Sequence, residues 1–271
     1  MTATTRGRPK LPMSVIVLGL LGVAFFVMPF IGLLIRAPVG SIPDVLVDDG
    51  VRTALVLSLV TSVTTTALAI VLGVPVAWLL ARSALPGRRF VRVLCTLSMV
   101  LPPVVAGVAL FLALGRRGVI GEPLDDAFGI TLPFTMAAVV VAQLFVAMPF
   151  LVLTVDAALR ALDPAAEDAA RTLGASEWYV FRRVTVPSIR PALVSGIVLT
   201  WARALGEFGA TITFAGSLPG VTRTVPLATY LALENDPEQA ILLSLVLVAV
   251  SFIVLFGLRE RWVGAAFGAR P

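Results

Sequence analysis

The chain of 271 residues is 58% hydrophobic and only 14% charged, whereas an ordinary soluble domain carries about 25% charged residues. Its mean hydropathy of +1.00 therefore favours one domain embedded in a lipid bilayer over soluble domains. The net charge of +5 comes from arginines dispersed between apolar runs, a pattern typical of membrane topology signals rather than of nucleic-acid binding. With no histidine and one cysteine, the composition excludes His/Cys metal centres, Ser-His-Asp triads and disulfide frameworks, so we expect no catalytic residue, metal or cofactor.

Six apolar runs are long enough to cross a bilayer core about 30 Å thick, which requires roughly 20 helical residues. They are continuously apolar rather than alternating, which predicts helices and not a barrel. In chain order the predicted spans are residues 14–35, 53–81, 93–115, 127–155, 191–215 and 239–258. The fourth run also has room for a loop, so its helix is expected to begin near Phe134. The predicted fold is all-α, with one transmembrane domain over residues 14–258 between tails at 1–13 and 259–271.

The distribution of basic residues predicts the orientation of the chain in the cell membrane. Fifteen arginines and lysines fall on the side of the N-terminus and five on the opposite side. Since basic residues concentrate in cytoplasmic loops, both termini are expected to face the cytoplasm. The first helix is expected to be retained, because its apolar run is longer than the roughly 7–15 residues of a cleaved signal peptide.

The inner loop of residues 156–190 predicts a helix, a glycine bend and a second helix. Asp163 can cap the first helix and Gly174 can end it in a left-handed conformation. Ser176 can cap the second helix, which is expected to stop at Pro187. One face of the first helix carries only small or apolar side chains at helical spacing: Ala166, Ala169, Ala170 and Leu173. From the residues alone, a docking surface and a connector lying on lipid headgroups are equal alternatives.

The same loop resembles the cytoplasmic coupling loop of ABC importer permeases, whose consensus is E-A-A-x-x-x-G followed after nine residues by I-x-L-P. Asp168 stands where that family has glutamate, with Glu167 one position earlier, and valines replace the isoleucine and leucine. The other matching residues are Ala169, Ala170, Gly174, Val184, Val186 and Pro187. The resemblance implies the six-helix architecture of type I importer permeases, with a loop that docks on a separate ATP-hydrolysing subunit. The chain itself has no G-x-x-x-x-G-K-[ST] motif for binding a nucleotide phosphate.

Two further segments, LPPVVAG at 101–107 and WARALGEFGATITFAGSLPGVTRTVPLATY at 201–230, resemble molybdate permeases. This resemblance implies a homodimer with two copies of an ATPase subunit and an extracytoplasmic oxyanion-binding protein, carrying molybdate or tungstate. Sulfate and thiosulfate permeases share residues like ARALGEFG and remain an alternative. An ion-driven secondary transporter is a less favoured alternative, since the chain lacks an internal repeat. An intramembrane enzyme is least favoured, because the carboxylates lack a paired spacing.

Two groups of residues are candidates for the translocation pathway or its gate. Ser58, Ser62 and Thr65 lie, with Thr66, on one stripe of the second span, where hydroxyls serve either an anion pathway or contacts between helices. Arg203 and Glu207 are the only ionisable residues inside a predicted span, and each costs about 2.5–3.5 kcal/mol there unless it is paired or faces a cavity. Gly206 and Gly209 flank the carboxylate. A gate and a neutralised structural pair are equally compatible with this pattern.

Overall fold

The chain is helical throughout the part that the structure describes. The computed structural model covers residues 12–84 and 86–267, with the backbone alone at residues 39, 44–46 and 258–267. No strand occurs within those ranges. The helices are α1 (Met13–Ile35), α2 (Ile42–Val47), α3 (Asp49–Arg82), α4 (Arg88–Val100), α5 (Pro103–Leu114), α6 (Gly121–Phe128), α7 (Met136–Ala161), α8 (Ala165–Thr172), α9 (Glu177–Val180), α10 (Val186–Ser188), α11 (Arg190–Leu205), α12 (Gly209–Phe214), α13 (Val225–Asn235) and α14 (Pro237–Phe267).

Four of these helices, α1, α3, α7 and α14, are each long and apolar enough to cross a membrane. A fifth span is obtained if α11 is joined to the preceding stretch Glu177–Ser188, from which it is bent by 74°. The predicted all-α, multi-pass class is confirmed, and α7 begins at Met136, close to the predicted start. The number six is not confirmed, because two of the predicted spans are interrupted.

The predicted span at 93–115 is broken by the sequence Leu101-Pro102-Pro103. Leu101 and Pro102 are extended, with φ/ψ of −62°/130° and −54°/131°. A proline has no backbone N–H to continue the helix and pushes the preceding residue out of the α region. The helix therefore ends as α4 and restarts as α5, in which Pro103 occupies the first position, where no N–H is needed.

The predicted span at 191–215 is broken as well. Helix α11 ends at Leu205 and α12 begins at Gly209, and Phe208 between them has φ/ψ of −126°/−55°. The predicted tail from residue 259 begins within α14, whose backbone remains helical to Phe267. Residues 1–11 of the predicted N-terminal tail lie outside the described residues.

Helix α7 forms the centre of the bundle, packed against α3, α11, α4, α12 and α5. Glycines allow its closest neighbours to approach: a Cβ on Gly196 of α11 would lie 2.8 Å from Cδ1 of Leu151. Apolar side chains of α3 and α11 fill the same core around Leu151 and Val155. By contrast, none of the residues of α1 is buried, so most of its apolar surface is left to lipid or to another chain.

Candidate functional site

The coupling segment, residues 163–187, comprises α8, a bend, α9, one π-helical turn (Phe181–Thr185) and the start of α10. It has the helix, bend and second helix that the sequence predicts. Asp163 Oδ1 accepts a hydrogen bond from Ala165 N at 3.0 Å at the first helix start. Ser176 Oγ accepts one from Tyr179 N at 3.3 Å at the second. Both side chains thus satisfy backbone donors that a helix start leaves open.

Gly174 ends the first helix as predicted, with φ of +85°, a conformation that favours glycine. The Gly174 N–H donates to Arg171 O at 2.9 Å, and the Ala175 N–H donates to Ala170 O at 3.1 Å. These two bonds form a Schellman motif, which satisfies carbonyls at the helix end. The bend is therefore fixed by backbone hydrogen bonds.

The prediction that Pro187 stops the second helix is wrong. Pro187 lies within α10, which continues directly from the π-helical turn and ends at Ser188. The chain turns two residues later, at Ile189, whose φ/ψ are −96°/4°. The 74° bend therefore separates the coupling segment from α11.

The coupling segment exposes large apolar side chains around its bend. Leu173 is 89% exposed, Trp178 67% and Tyr179 55%. Among the predicted coupling residues, those that are exposed are Asp168, Ala169, Gly174 and Pro187, those that are half-buried are Ala170, Val184 and Val186, and the one that is buried is Glu167. Exposed apolar side chains beside charged ones are typical of an interaction surface.

Arg171 braces the two helices across this bend. Its Nε donates to Glu177 Oε1 at 2.8 Å and its second terminal nitrogen to Glu177 Oε2 at 3.2 Å, a two-pronged pair. A third bond, of 2.9 Å, joins it to Asp168 Oδ1. The hydrogen bonds from Arg171 lower the pKa of the Glu177 carboxyl, so the pair stays charged at neutral pH.

The hydroxyl stripe of α3 is buried between helices. Thr65 Oγ1 donates to Gln143 Oε1 at 3.0 Å, and Gln143 Nε2 donates to Thr61 Oγ1 at 3.2 Å, which ties α3 to α7. Ser58 Oγ accepts a hydrogen bond from Val225 N at 2.7 Å and so caps the start of α13. The stripe residues that are buried are Ser58, Thr61, Ser62, Thr65 and Thr66. This geometry favours the helix-contact interpretation of the stripe.

Gln143 is a buried polar side chain between α3 and α7 that the sequence interpretation missed. It is 1% exposed and is the α7 partner of the stripe. The signal was available, because an amide in an otherwise apolar span requires hydrogen-bond partners.

Arg203 and Glu207 form an ion pair at the break between α11 and α12. Glu207 is 1% exposed, and its Oε1 accepts a hydrogen bond from Ala210 N at 2.8 Å, which caps α12. Its Oε2 contacts the guanidinium of Arg203, whose side chain remains 28% exposed. The carboxylate thus holds the break in place and neutralises a cation that is open on one side.

Glycines bring α5 and α12 into direct contact beside this break. A Cβ on Gly209 would lie 2.8 Å from Pro103 Cβ and 3.0 Å from Val104 N. Gly206, by contrast, has room, with Ala202 O at 3.5 Å as its nearest neighbour. The segments at 101–107 and 201–230, which both resemble molybdate permeases in sequence, are therefore in contact through α5 and α12.

The chain matches the family described as "Binding-protein-dependent transport system inner membrane component" over residues 69–266. It is 46% identical over 251 residues to the molybdenum transport system permease protein ModB of Mycobacterium tuberculosis, covering 93% of this chain and 95% of the relative. It is 37% identical over 213 residues to the sulfate transport system permease protein CysW of Synechocystis, covering 79% and 77%.

The fold is also shared with a solved structure. A bacterial ABC transporter for the acidic polysaccharide alginate superposes with a TM-score of 0.70 at 16% identity, over 92% of this chain and 94% of that chain. At this identity the likeness concerns the helical fold. It agrees with the type I permease architecture expected from the coupling loop.

Proposed function

Because the chain belongs to the family of binding-protein-dependent transport system inner membrane components, we propose that it is the membrane-spanning permease subunit of an ABC importer that translocates molybdate or tungstate. The observation that carries this proposal is the helix–glycine–helix coupling segment with its exposed apolar bend. The substrate assignment is supported by the higher identity to a molybdenum permease than to a sulfate permease. The chain transports and is not itself an enzyme, since its relatives are permease subunits.

The proposed assembly contains two copies of this chain, two copies of an ATPase subunit and an extracytoplasmic binding protein. The coupling segment docks on the ATPase, and both termini face the cytoplasm, on the side with more basic residues. The tails at 1–13 and 259–271 flank the transmembrane domain. The exposed apolar surface of α1 is available for contact with lipid or with the second copy of the chain. Closure of the ATPase pair pushes the coupling segments and switches the bundle between inward and outward opening.

The proposed pathway passes the break between α11 and α12. A tetrahedral dianion in a bilayer requires positive charge and hydrogen-bond donors rather than apolar walls. Arg203 offers a partly exposed guanidinium there, and Glu207 fixes its position. In this proposal Gly209 permits the tight α5–α12 contact that forms one wall, and Gly206 leaves the chain free to bend. In the stripe of α3, Ser58 and Thr65 bond to α13 and α7, and Ser62 bonds to Leu59 O of its own helix.

The substrate is tested with the complete complex in proteoliposomes, containing the permease, its ATPase and its binding protein. We expect molybdate-loaded binding protein to stimulate ATP hydrolysis and anion uptake, and sulfate-loaded binding protein to stimulate neither. Stimulation by the sulfate-loaded binding protein, and not by the molybdate-loaded one, would establish the alternative of a sulfate importer. ATP-independent uptake driven by an ion gradient would contradict the ABC assignment altogether.

We expect Glu207→Gln to lower uptake at least about tenfold while the fold is kept, because the amide retains the Ala210 cap but leaves Arg203 unpaired. Uptake into proteoliposomes and thermal stability in detergent are measured side by side. Glu122→Gln, an exposed acid at the start of α6, is the matched control. Normal uptake with normal stability in Glu207→Gln would rule out the hypothesis that the Arg203–Glu207 pair is a gate.

A further inference from the structure

Glu167 is the buried acid of the coupling segment, with 2% of its side chain exposed. Its Oε1 accepts a hydrogen bond from Thr185 Oγ1 at 2.7 Å, which links α8 to the π-helical turn. The same oxygen accepts one from Arg82 at 3.4 Å, and Arg82 is the last residue of α3. Arg171 lies 3.8 Å from Oε2. One carboxylate therefore joins both halves of the coupling segment to a transmembrane helix that is distant in sequence.

An aromatic contact joins the same two elements. Trp78 of α3 packs edge-on against Phe181 of the π-helical turn, with ring centroids 4.9 Å apart. Phe181 in turn stacks on Trp178 at 5.5 Å. Such pairs contribute beyond their buried area. The exposed Trp178 at the bend is thus connected to α3 through one intervening ring.

Helix α3 extends from these contacts to the far end of the bundle. Its 34 residues correspond to about 51 Å of helix at about 1.5 Å per residue. At its other end, Asp48, Val51 and Ala54 line a cavity of about 280 Å³ together with residues of α13 and α14. Ser58 caps α13 nearby. Helix α3 therefore connects the coupling segment to the cavity at the opposite end of the helix.

We propose that Glu167 is a positioning residue that transmits the movement of the coupling segment to α3, so that α3 carries it across the bilayer. This inference rests on the proposed function, because it assigns a route to the coupling that an ABC permease needs. The exposed residues around the bend contact the ATPase subunit, whereas the buried Glu167 contacts α3 through Arg82. The segment therefore pushes on α3 directly, in addition to pulling on α7 and α11, to which it is joined through the chain.

The geometry of Arg82 fits a contact that changes during the cycle. Among the described residues, its buried Nε has no hydrogen-bond partner, and its bond to Glu167 is long at 3.4 Å. Glu167 Oε2 is also engaged only at 3.8 Å. Since a two-pronged pair between guanidinium and carboxylate is stronger than a single bond, movement of α8 toward α3 strengthens this contact.

The test uses Glu167→Gln in the complete complex, with anion uptake and ATP hydrolysis measured on the same proteoliposomes. The number of anions transported per ATP hydrolysed is expected to fall at least about tenfold, the loss that corresponds to one charge-assisted hydrogen bond. Association with the ATPase is expected to stay intact, because the exposed side chains of the bend are unchanged. Glu122→Gln, which changes an exposed acid at the start of α6 outside the coupling segment, is the control and is expected to keep the wild-type ratio.

A double-mutant comparison separates transmission from a merely structural role. If Glu167 acts through Arg82, adding Arg82→Gln to Glu167→Gln lowers the ratio no further. An unchanged ratio in Glu167→Gln, or an equal fall in Glu122→Gln, overturns the proposal. If Glu167→Gln does not assemble, Thr185→Val and Arg82→Gln are measured instead, and wild-type ratios in both overturn it. ATP-driven uptake by the wild-type complex is measured before any variant. Its absence refutes the proposed function itself.

Discussion

Replacing Gly107 with valine is expected to abolish uptake and to lower the amount of folded protein in the membrane. A Cβ at this position would lie 2.6 Å from Thr213 Cβ, 2.9 Å from Ala210 O and 3.0 Å from Ala210 Cα. Two of these three atoms belong to the backbone of α12, so rotation of a side chain cannot relieve the clash. Overpacking a tight contact costs typically 1–3 kcal/mol, and the two further methyl groups of valine increase that cost.

The position of this contact makes the effect functional as well as structural. α12 begins two residues after Glu207, whose carboxylate accepts a hydrogen bond from Ala210 N, so displacement of α12 also disturbs the Arg203 pair. Gly257→Val in α14 is the matched control, because no atom lies within 4 Å of a Cβ there and the change in helix propensity is the same. Thermal stability in detergent and uptake by the complete complex measure the outcome. Wild-type stability and uptake in Gly107→Val would show that α5 and α12 are not held at this distance.

The contact between α5 and α12 also shows where the sequence was insufficient to predict the structure. The glycine at 107 is visible in the sequence, but its need for close approach depends on α12, about a hundred residues away. The prolines at 102 and 103 were visible too, yet apolar composition alone predicted one span through them. Hydropathy measures transfer into lipid and does not register a missing backbone donor. At Gly206–Phe208 no backbone donor is missing; there the Glu207 carboxylate accepts a hydrogen bond from Ala210 N at the start of a new helix, and hydropathy does not register such a cap either.

The coupling segment was more predictable, because its signals are local. The cap at Ser176 and the left-handed glycine at 174 depend on neighbours within five residues, and both are observed. The segment's attachment to α3 was not predictable, because Glu167 and Arg82 are far apart in sequence. Arg82 could be interpreted only as a topology signal. Local hydrogen bonds thus determine the shape of the segment, and tertiary packing determines which helix it contacts.

A second large effect is expected for Arg92→Gln, which should destabilise the bundle by about 3 kcal/mol, the lower end of the range for breaking a buried ion pair. Asp156 of α7 is fully buried, and its two oxygens accept hydrogen bonds from Arg92 Nε at 3.0 Å and from its terminal nitrogen at 3.1 Å. Arg92 also donates to Leu80 O at 3.2 Å, near the end of α3. Its loss leaves a buried carboxylate with one remaining partner, Arg160.

Arg160→Gln provides the internal control, because it removes the other partner of the same carboxylate. Arg160 is 51% exposed, so solvent screens its pair and its loss is expected to cost no more than about 1 kcal/mol. Both variants are compared by thermal denaturation in detergent. Equal destabilisation by the two would contradict the assignment of Arg92 as the principal partner.

Adding Asp156→Asn to Arg92→Gln is expected to recover part of the lost stability, because no unpaired charge then remains buried. Recovery would establish that the damage comes from the orphaned carboxylate rather than from lost packing of the arginine stem. The Arg92–Asp156 pair joins α4 to α7, and Arg92 also bonds to Leu80 O near the end of α3. These elements meet where the coupling segment leaves α7 and where Arg82 contacts Glu167. In the proposed mechanism, this pair keeps the end of α3 next to the coupling segment, so that a push on the segment moves α3 instead of separating the helices.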